Sequence, residues 1–208
     1  MSDGPTGEAA GERLRDALVI GSLLVPGGGV GYLAAMRHWG WTDADVDPIA
    51  LITPRRAVAM RPELLGVRYG LILTKPARVF GFVRESRDGL ALRVTERERT
   101  VVDMLDRSDL CGGMAVVVEA LRHAWPELDR ERLTRRLERF GGGTVPKRLG
   151  FLAEALGLEP RGGEWTERWR ALIAPGYSVL ERGGPDRGWY TRRWMVRVNA
   201  EGFVPDAE

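Results

Sequence analysis

The chain has 208 residues, 44% of them hydrophobic and 29% charged, which is ordinary for a folded protein and enough to bury one substantial core. Its single cysteine, Cys111, excludes an intrachain disulfide framework and any multi-cysteine zinc site. The formal net charge is only +2, and apart from Lys75 and Lys147 the basic residues are arginines, so local clusters carry more information than the total.

The opening "MSDGPTGEAAGERLRD" is polar and Gly-rich, with no apolar signal-peptide core, and predicts a short flexible tail over residues 1–12. No run approaches the roughly 18 apolar residues that span a bilayer, so the reading is a cytoplasmic chain with no membrane partner. Glu12 to Val25 reads as a helix with Leu14, Leu18 and Leu24 on its apolar positions, stopped by "PGGG" at Pro26 to Gly29. "VGYLAAMRHWGW" reads as a short helix ending near Gly40.

Short apolar, β-rich runs follow: Ile49 to Thr53, Val67 to Thr74, Arg78 to Glu85 and Leu90 to Val94, with "RDG" at Arg87 to Gly89 as a hairpin turn between the last two. The middle of the chain is helical by its periodicity, over Glu96–Arg107, Gly113–Trp125, Arg130–Phe140 and Pro146–Leu156. The end returns to strands at Tyr177 to Arg182 and Trp189 to Asn199. Strands, a helical block and strands again predict an α+β fold, one mixed β-sheet with a central block of helices packed on it. The expected organisation is a single domain over 13–200 and a short C-terminal tail over 201–208.

"RVTERERTVVDMLDRSDLCGG", Arg93 to Gly113, gathers many acidic residues and the cysteine, and has two readings. As a helix, Thr95 and Glu98 fit the capping-box pattern, and Glu96 and Glu98 place negative charge at the positive helix end. Val101, Val102 and Leu105 then form the buried face, with Asp103 and Asp106 turned to water. As a catalytic cluster, Asp103, Asp106 or Cys111 would need an acid–base partner, and none stands nearby in sequence. The helix is the preferred reading. His38 and His123 lie far apart in sequence, and their spacing suggests no metal site.

Other signatures fail on their chemistry. "GVGYLA" at Gly29 to Ala34 has the loose dinucleotide spacing, but Pro26 and a helix precede it where a strand is needed, and position 54 is a proline rather than an acid. A metal-dependent nuclease would need a carboxylate two residues before a lysine, where Lys75 has Leu73 and Lys147 has Val145. There is no nucleophile elbow, phosphate-binding loop or H-E-x-x-H run.

The strongest concentration of charge lies in "DRERLTRRLERFGGGTVPKRLG". Asp129 caps a helix with core positions Leu133, Leu137 and Phe140. Arg132, Arg135, Arg136 and Arg139 are spaced so that several share one exposed face. Lys147 and Arg148 open the next helix after Pro146, where free amides and basic side chains favour anions. These six residues, with Arg192 and Arg193 among the aromatics of the last strand, are the candidate nucleic-acid or partner-binding set. A solvated face neutralised in part by Glu131 and Glu138 is the plain alternative.

The succession of these pieces resembles the C-terminal domain of AbiEi-type antitoxins, the antitoxin half of type IV toxin–antitoxin systems. The resemblance runs from about Leu18 to Asn199. Its most specific pieces are "VTERERTVVDML" at Val94 to Leu105 and "KRLGFLAEALG" at Lys147 to Gly157, in that order and spacing. It implies a non-enzymatic protein without cofactor that counters a nucleotidyltransferase-type toxin. Many members of that family also repress their own operon through an N-terminal winged helix domain. Here "LLVPGGG" is preceded by a tail and one helix only, too short for that domain. Two further expectations stand beside the antitoxin: a DNA-binding transcriptional regulator acting through the basic helical surface, and an enzyme using Asp103, Asp106 or Cys111.

Overall fold

The computed structural model describes residues 7–54, 63–87 and 90–203. The fold is α+β, as expected from the order of its elements. Contacts divide the chain into two compact units where one domain over 13–200 was expected. Met1–Gly40 with Asp45–Glu96 form the first unit, and Trp41–Ala44 with Arg97–Glu208 form the second.

The first unit holds a six-stranded mixed sheet and two helices. Helix α1 spans Gly7–Leu24 and so begins inside the expected tail. Strand β1 (Gly29–Val30) and helix α2 (Tyr32–His38) follow, then β2 (Ile49–Thr53), β3 (Glu63–Leu64), β4 (Val67–Leu73), β5 (Phe82–Arg87) and β6 (Leu90–Thr95). The sheet order is β3-β4-β2-β1-β6-β5. The β5–β6 pair is an antiparallel hairpin, although its expected turn at Arg87 to Gly89 falls outside the described residues apart from Arg87.

The "PGGGVG" run becomes the centre of this sheet rather than a phosphate loop. Gly29–Val30 pairs antiparallel with β2 and parallel with β6. A Cβ on Gly29 would lie 2.7 Å from the Arg93 carbonyl oxygen of β6 and 2.8 Å from the Phe82 ring of β5, so only glycine lets the β5–β6 hairpin close on it. β2 is buried at all five positions, which is why its residues read as a continuous apolar run rather than an alternating one. Helix α1 lays Ala17, Leu18 and Val19 into a core shared with Val30, Leu51, Tyr69 and Val94. The Tyr69 hydroxyl donates to the Ala17 carbonyl at 3.0 Å, which satisfies the one polar atom the ring carries into that core.

The second unit is mostly helical. It comprises α3 (Arg97–Asp106), α4 (Met114–Ala124), α5 (Arg130–Phe140), α6 (Thr144–Ala155) and α7 (Glu164–Arg170). Strands β7 (Ser178–Val179), β8 (Trp189–Thr191) and β9 (Val196–Val198) form a separate small sheet in the order β7-β9-β8. The strands are thus shared between two sheets, where one mixed sheet was expected. The expected final strand is broken in two because Arg192 to Met195 turn, with the Met195 amide donating to the Arg192 carbonyl and Met195 at φ 51°.

Helix α3 is the hub of this unit. Every residue from Glu98 to Leu105 is buried, because α4, α5 and α6 all pack against it. This corrects the expectation for Asp103, which is only 1% exposed rather than turned to water. A single amphipathic face is the pattern of a helix packed on one side, and α3 is enclosed. Among the described residues no helix is long and apolar enough to cross a membrane.

Candidate interface on the arginine-rich helices

Helix α5 forms where its sequence pattern places it. The Asp129 carboxylate accepts from the Arg132 amide at 2.9 Å and caps the first turn. Leu133, Thr134, Leu137 and Phe140 point inward, and Thr134 takes the indole N–H of the buried Trp169 at 3.0 Å. The outer side carries Arg132, Arg135 and Arg139, all exposed, with Arg136 half-buried beside them.

Acidic residues already moderate this face. Arg132 lies 3.7 Å from Glu98 and 3.8 Å from Asp129, and Arg135 lies 3.2 Å from Glu131. Glu131 also receives Arg168 at 2.6 Å, and that hydrogen bond holds its carboxyl below the usual carboxylate range. The Arg132 amide does the same for Asp129. Both carboxylates are therefore charged at neutral pH, and the face is a mixed network with an arginine surplus. Exposed pairs of this kind hold little energy and exchange readily with a partner's carboxylates or phosphates.

Lys147 and Arg148 are not part of that surface, which corrects the expectation that they face an anion. They are 2% and 4% exposed. The Lys147 ammonium donates to the Gly176 carbonyl and lies 3.5 Å from the Ser178 hydroxyl, and burial lowers its pKa. Arg148 donates to the Val179 carbonyl at 2.9 Å, to Leu105 at 2.6 Å and to Asp106 at 3.1 Å. The last two are carbonyls of the final turn of α3, where a cation also meets the negative end of the helix. Helix α6 starts at Thr144, so Pro146 sits at its third position and both basic side chains turn inward.

The rest of α6 continues the pattern. A Cβ on Gly150 would sit inside the Trp194 ring, so the indole rests directly on the helix backbone. Glu154 accepts from the Trp194 indole at 2.8 Å and from Arg193 at 2.9 and 3.0 Å. Arg193 reaches Glu167 as well, at 2.7 Å. Arg193 is therefore a brace between α6, α7 and the β8–β9 turn, whereas Arg192 is exposed. Of the eight candidates, the structure brings Arg132, Arg135, Arg136 and Arg139 together on α5, leaves Arg192 on a separate surface, and commits Lys147, Arg148 and Arg193 to internal bonds.

The stretch from Arg93 to Gly113 is built into the helical unit by its polar residues. Glu98 accepts from the Asp129 amide at 3.1 Å and so joins α3 to the start of α5. Asp103 is paired with Arg99 at 2.8 Å inside the core, and the Arg99 guanidinium lies 5.0 Å over the Phe140 ring. Burial pushes the Asp103 carboxyl up to about 6 in spite of the arginine beside it. Its Oδ2 makes no hydrogen bond among the described residues. Cys111 is fully buried. His123 hydrogen-bonds the Trp41 carbonyl at 3.1 Å, and His38 lies 3.2 Å from Glu85. Among the described residues, no three His, Cys, Asp or Glu residues gather as a metal site would require.

No protein-family model matches the chain, and no curated protein matches it. Among solved structures it is similar to the RV2827C protein from Mycobacterium tuberculosis, with a TM-score of 0.57 at 18% identity over 82% of this chain. The match covers 61% of that protein, and the likeness is one of fold.

Proposed function

We propose that the chain is a non-catalytic, antitoxin-like protein of the AbiEi type that counteracts a nucleotidyltransferase-type toxin in the cytoplasm. One observation carries the reading. The two stretches on which the resemblance rests are far apart in sequence, yet their helices α3 and α6 are bonded partners through Arg148. Residues that mark the resemblance, including Glu98, Lys147, Arg148, Gly150 and Glu154, are the ones that hold the helical unit together. A sequence pattern with that role describes a scaffold whose outer surface does the binding. The contact surface in this reading is the α5 face with Arg132, Arg135, Arg136 and Arg139.

The test is co-expression with the cognate AbiEii-type toxin and measurement of growth. Rescue of arrested cells supports the reading. Continued arrest, with the chain present, soluble and folded, ends it.

The same exposed arginines favour a second reading, a DNA-binding transcriptional regulator that uses the α5 face on phosphates. A gel shift on the protein's own promoter across a salt series separates the two. Phosphate-driven binding falls steeply with salt, and no shift at low salt removes this reading.

A further inference from the structure

The small sheet of the second unit has one face in the core and one in solvent. Val196 and Val198 of β9 are buried, as is Leu180 just after β7. Register puts the alternate residues on the other side: Tyr190 lies opposite Arg197, and Arg197 is next to Val179. Tyr177, two residues before Val179, completes this face. Tyr177 is 49% exposed and Tyr190 is 56% exposed, and their rings pack edge to face at 5.0 Å. An edge-to-face pair covers one ring face and leaves the faces of the other ring clear of the pair.

Cations stand at both ends of this sheet. Arg192 stands in the turn between β8 and β9, and Arg182 and Arg187 stand in the segment between β7 and β8, at the sheet's other end. All three are exposed, and among the described residues no carboxylate lies within ion-pair distance of them. Arg197 pairs at 2.9 Å with Asp186, which is itself almost entirely in water, a contact that an incoming phosphate can replace. From Gly176 to Asn199 there are five arginines against Glu181 and Asp186. Glu181 is occupied internally, accepting from the Met114 amide at 2.9 Å.

We propose that the solvent face of the β7-β9-β8 sheet binds single-stranded nucleic acid, with Tyr177 and Tyr190 stacking on bases and Arg182, Arg187, Arg192 and Arg197 meeting the phosphates. Exposed aromatic rings and cations able to take a phosphate are the two components that single-strand sites combine. A duplex keeps its bases stacked on one another and would use the arginines alone. An acidic peptide would also answer the arginines but has no flat rings for the tyrosines. The site uses none of the α5 arginines, so it stands apart from the antitoxin reading and each can fail without the other.

The test is fluorescence anisotropy of the full chain with a labelled oligothymidylate about a dozen nucleotides long, across a salt series. The expected result is binding that weakens with salt, that exceeds binding of a duplex of equal length, and that falls about tenfold in Tyr190→Ala. Tyr190→Phe keeps the ring and stays near wild type, and Arg192→Glu weakens binding. Tyr177→Ala is the second aromatic variant, and both tyrosines are exposed enough for the fold to survive their loss. Three results overturn the proposal: no binding at low salt, binding indifferent to both tyrosine variants, or equal capture of polyglutamate with the same dependence on Tyr190. The last would assign the face to an acidic protein.

Discussion

The guanidinium of Arg148, near the start of α6, donates at 2.6 Å to the carbonyl of Leu105 in the last turn of α3. Removing it leaves the buried carbonyl of Leu105 and the part-buried carbonyls of Val179 and Asp106 without that donor. Arg148→Ala is therefore expected to cost about 3 kcal/mol, since each bond to a charged donor is worth about 1.5–3 and the Leu105 acceptor is buried away from water. Arg148→Lys rescues little, because one ammonium cannot match the fork that reaches both α3 and β7. Arg192→Ala is the control, expected within about 0.5 kcal/mol of wild type. Urea unfolding of the three variants checks this.

Gly150→Ala tests the packing of α6. In an exposed helix interior this change would stabilise by about 1 kcal/mol. Here the new methyl group would occupy the space of the Trp194 ring, so the sign reverses and the variant loses about 1–3 kcal/mol. Trp194→Leu in the same chain makes room for the methyl, and the double variant is expected to be more stable than the two single losses sum to. A double-mutant cycle on thermal unfolding reads this coupling.

Asp103 makes a pH dependence of unusual sign. Its carboxyl titrates at about 6 in the folded chain against an ordinary 3.8, because burial outweighs the attraction of Arg99. The folded state holds this proton more tightly than the unfolded state. The contribution is fully present below about pH 4 and is lost as pH rises through about 6, up to about 3 kcal/mol in all. Asp109, Glu131 and Glu167, held below the usual range by hydrogen bonds from arginines, act in the opposite direction. The measurement is thus a difference: Tm against pH for the native chain and for Asp103→Asn. The native chain is expected to lose the advantage between pH 4 and 6 while the variant does not. At neutral pH the variant is also less stable overall, because the buried Arg99–Asp103 ion pair is lost. Parallel curves would overturn the assignment.

Charge reversal on α5 tests the surface assigned to the toxin. Arg132→Glu, Arg135→Glu and Arg136→Glu together are expected to abolish rescue of toxin-arrested cells with the chain still folded. Arg132 and Arg135 are about half exposed, so their loss barely touches the core. Rescue at the wild-type level in the triple variant would move the toxin contact elsewhere.

Much of the fold was legible because periodicity and caps agree with the final packing. Helix α5 has the bounds its Asp129 cap and Leu133, Leu137, Phe140 spacing predict. β2 matches its apolar run. Helix α7 has no legible signature because it is short and polar, and its buried residues, Thr166 and Trp169, are too few to make a period. Amphipathic reasoning puts Asp103 in water because it assumes one packed side, whereas α3 packs against α4, α5 and α6. By sequence alone Lys147 and Arg148 belong to an anion-binding surface, because charge is usually exposed. A signal was present: they stand inside "VPKRLGFLA", a stretch otherwise apolar, where a cation must find carbonyls. Arg193 and Arg192 are adjacent and look alike in sequence, and only the position of Glu154 across the fold separates a brace from a free surface group.

Helix α6 meets a different neighbour at nearly every turn: Gly176 through Lys147, α3 and β7 through Arg148, Trp194 through Gly150, and Arg193 through Glu154. Such a helix drifts poorly during evolution. A change at one of these positions has no local remedy and calls for a second change at its distant partner. In relatives of this chain, Gly150 with Trp194 and Glu154 with Arg193 should therefore be exchanged as pairs or kept as pairs. The outward arginines of α5 sit in exposed pairs that hold little energy, as Arg135 does with Glu131, and can diverge with whatever they bind at less cost.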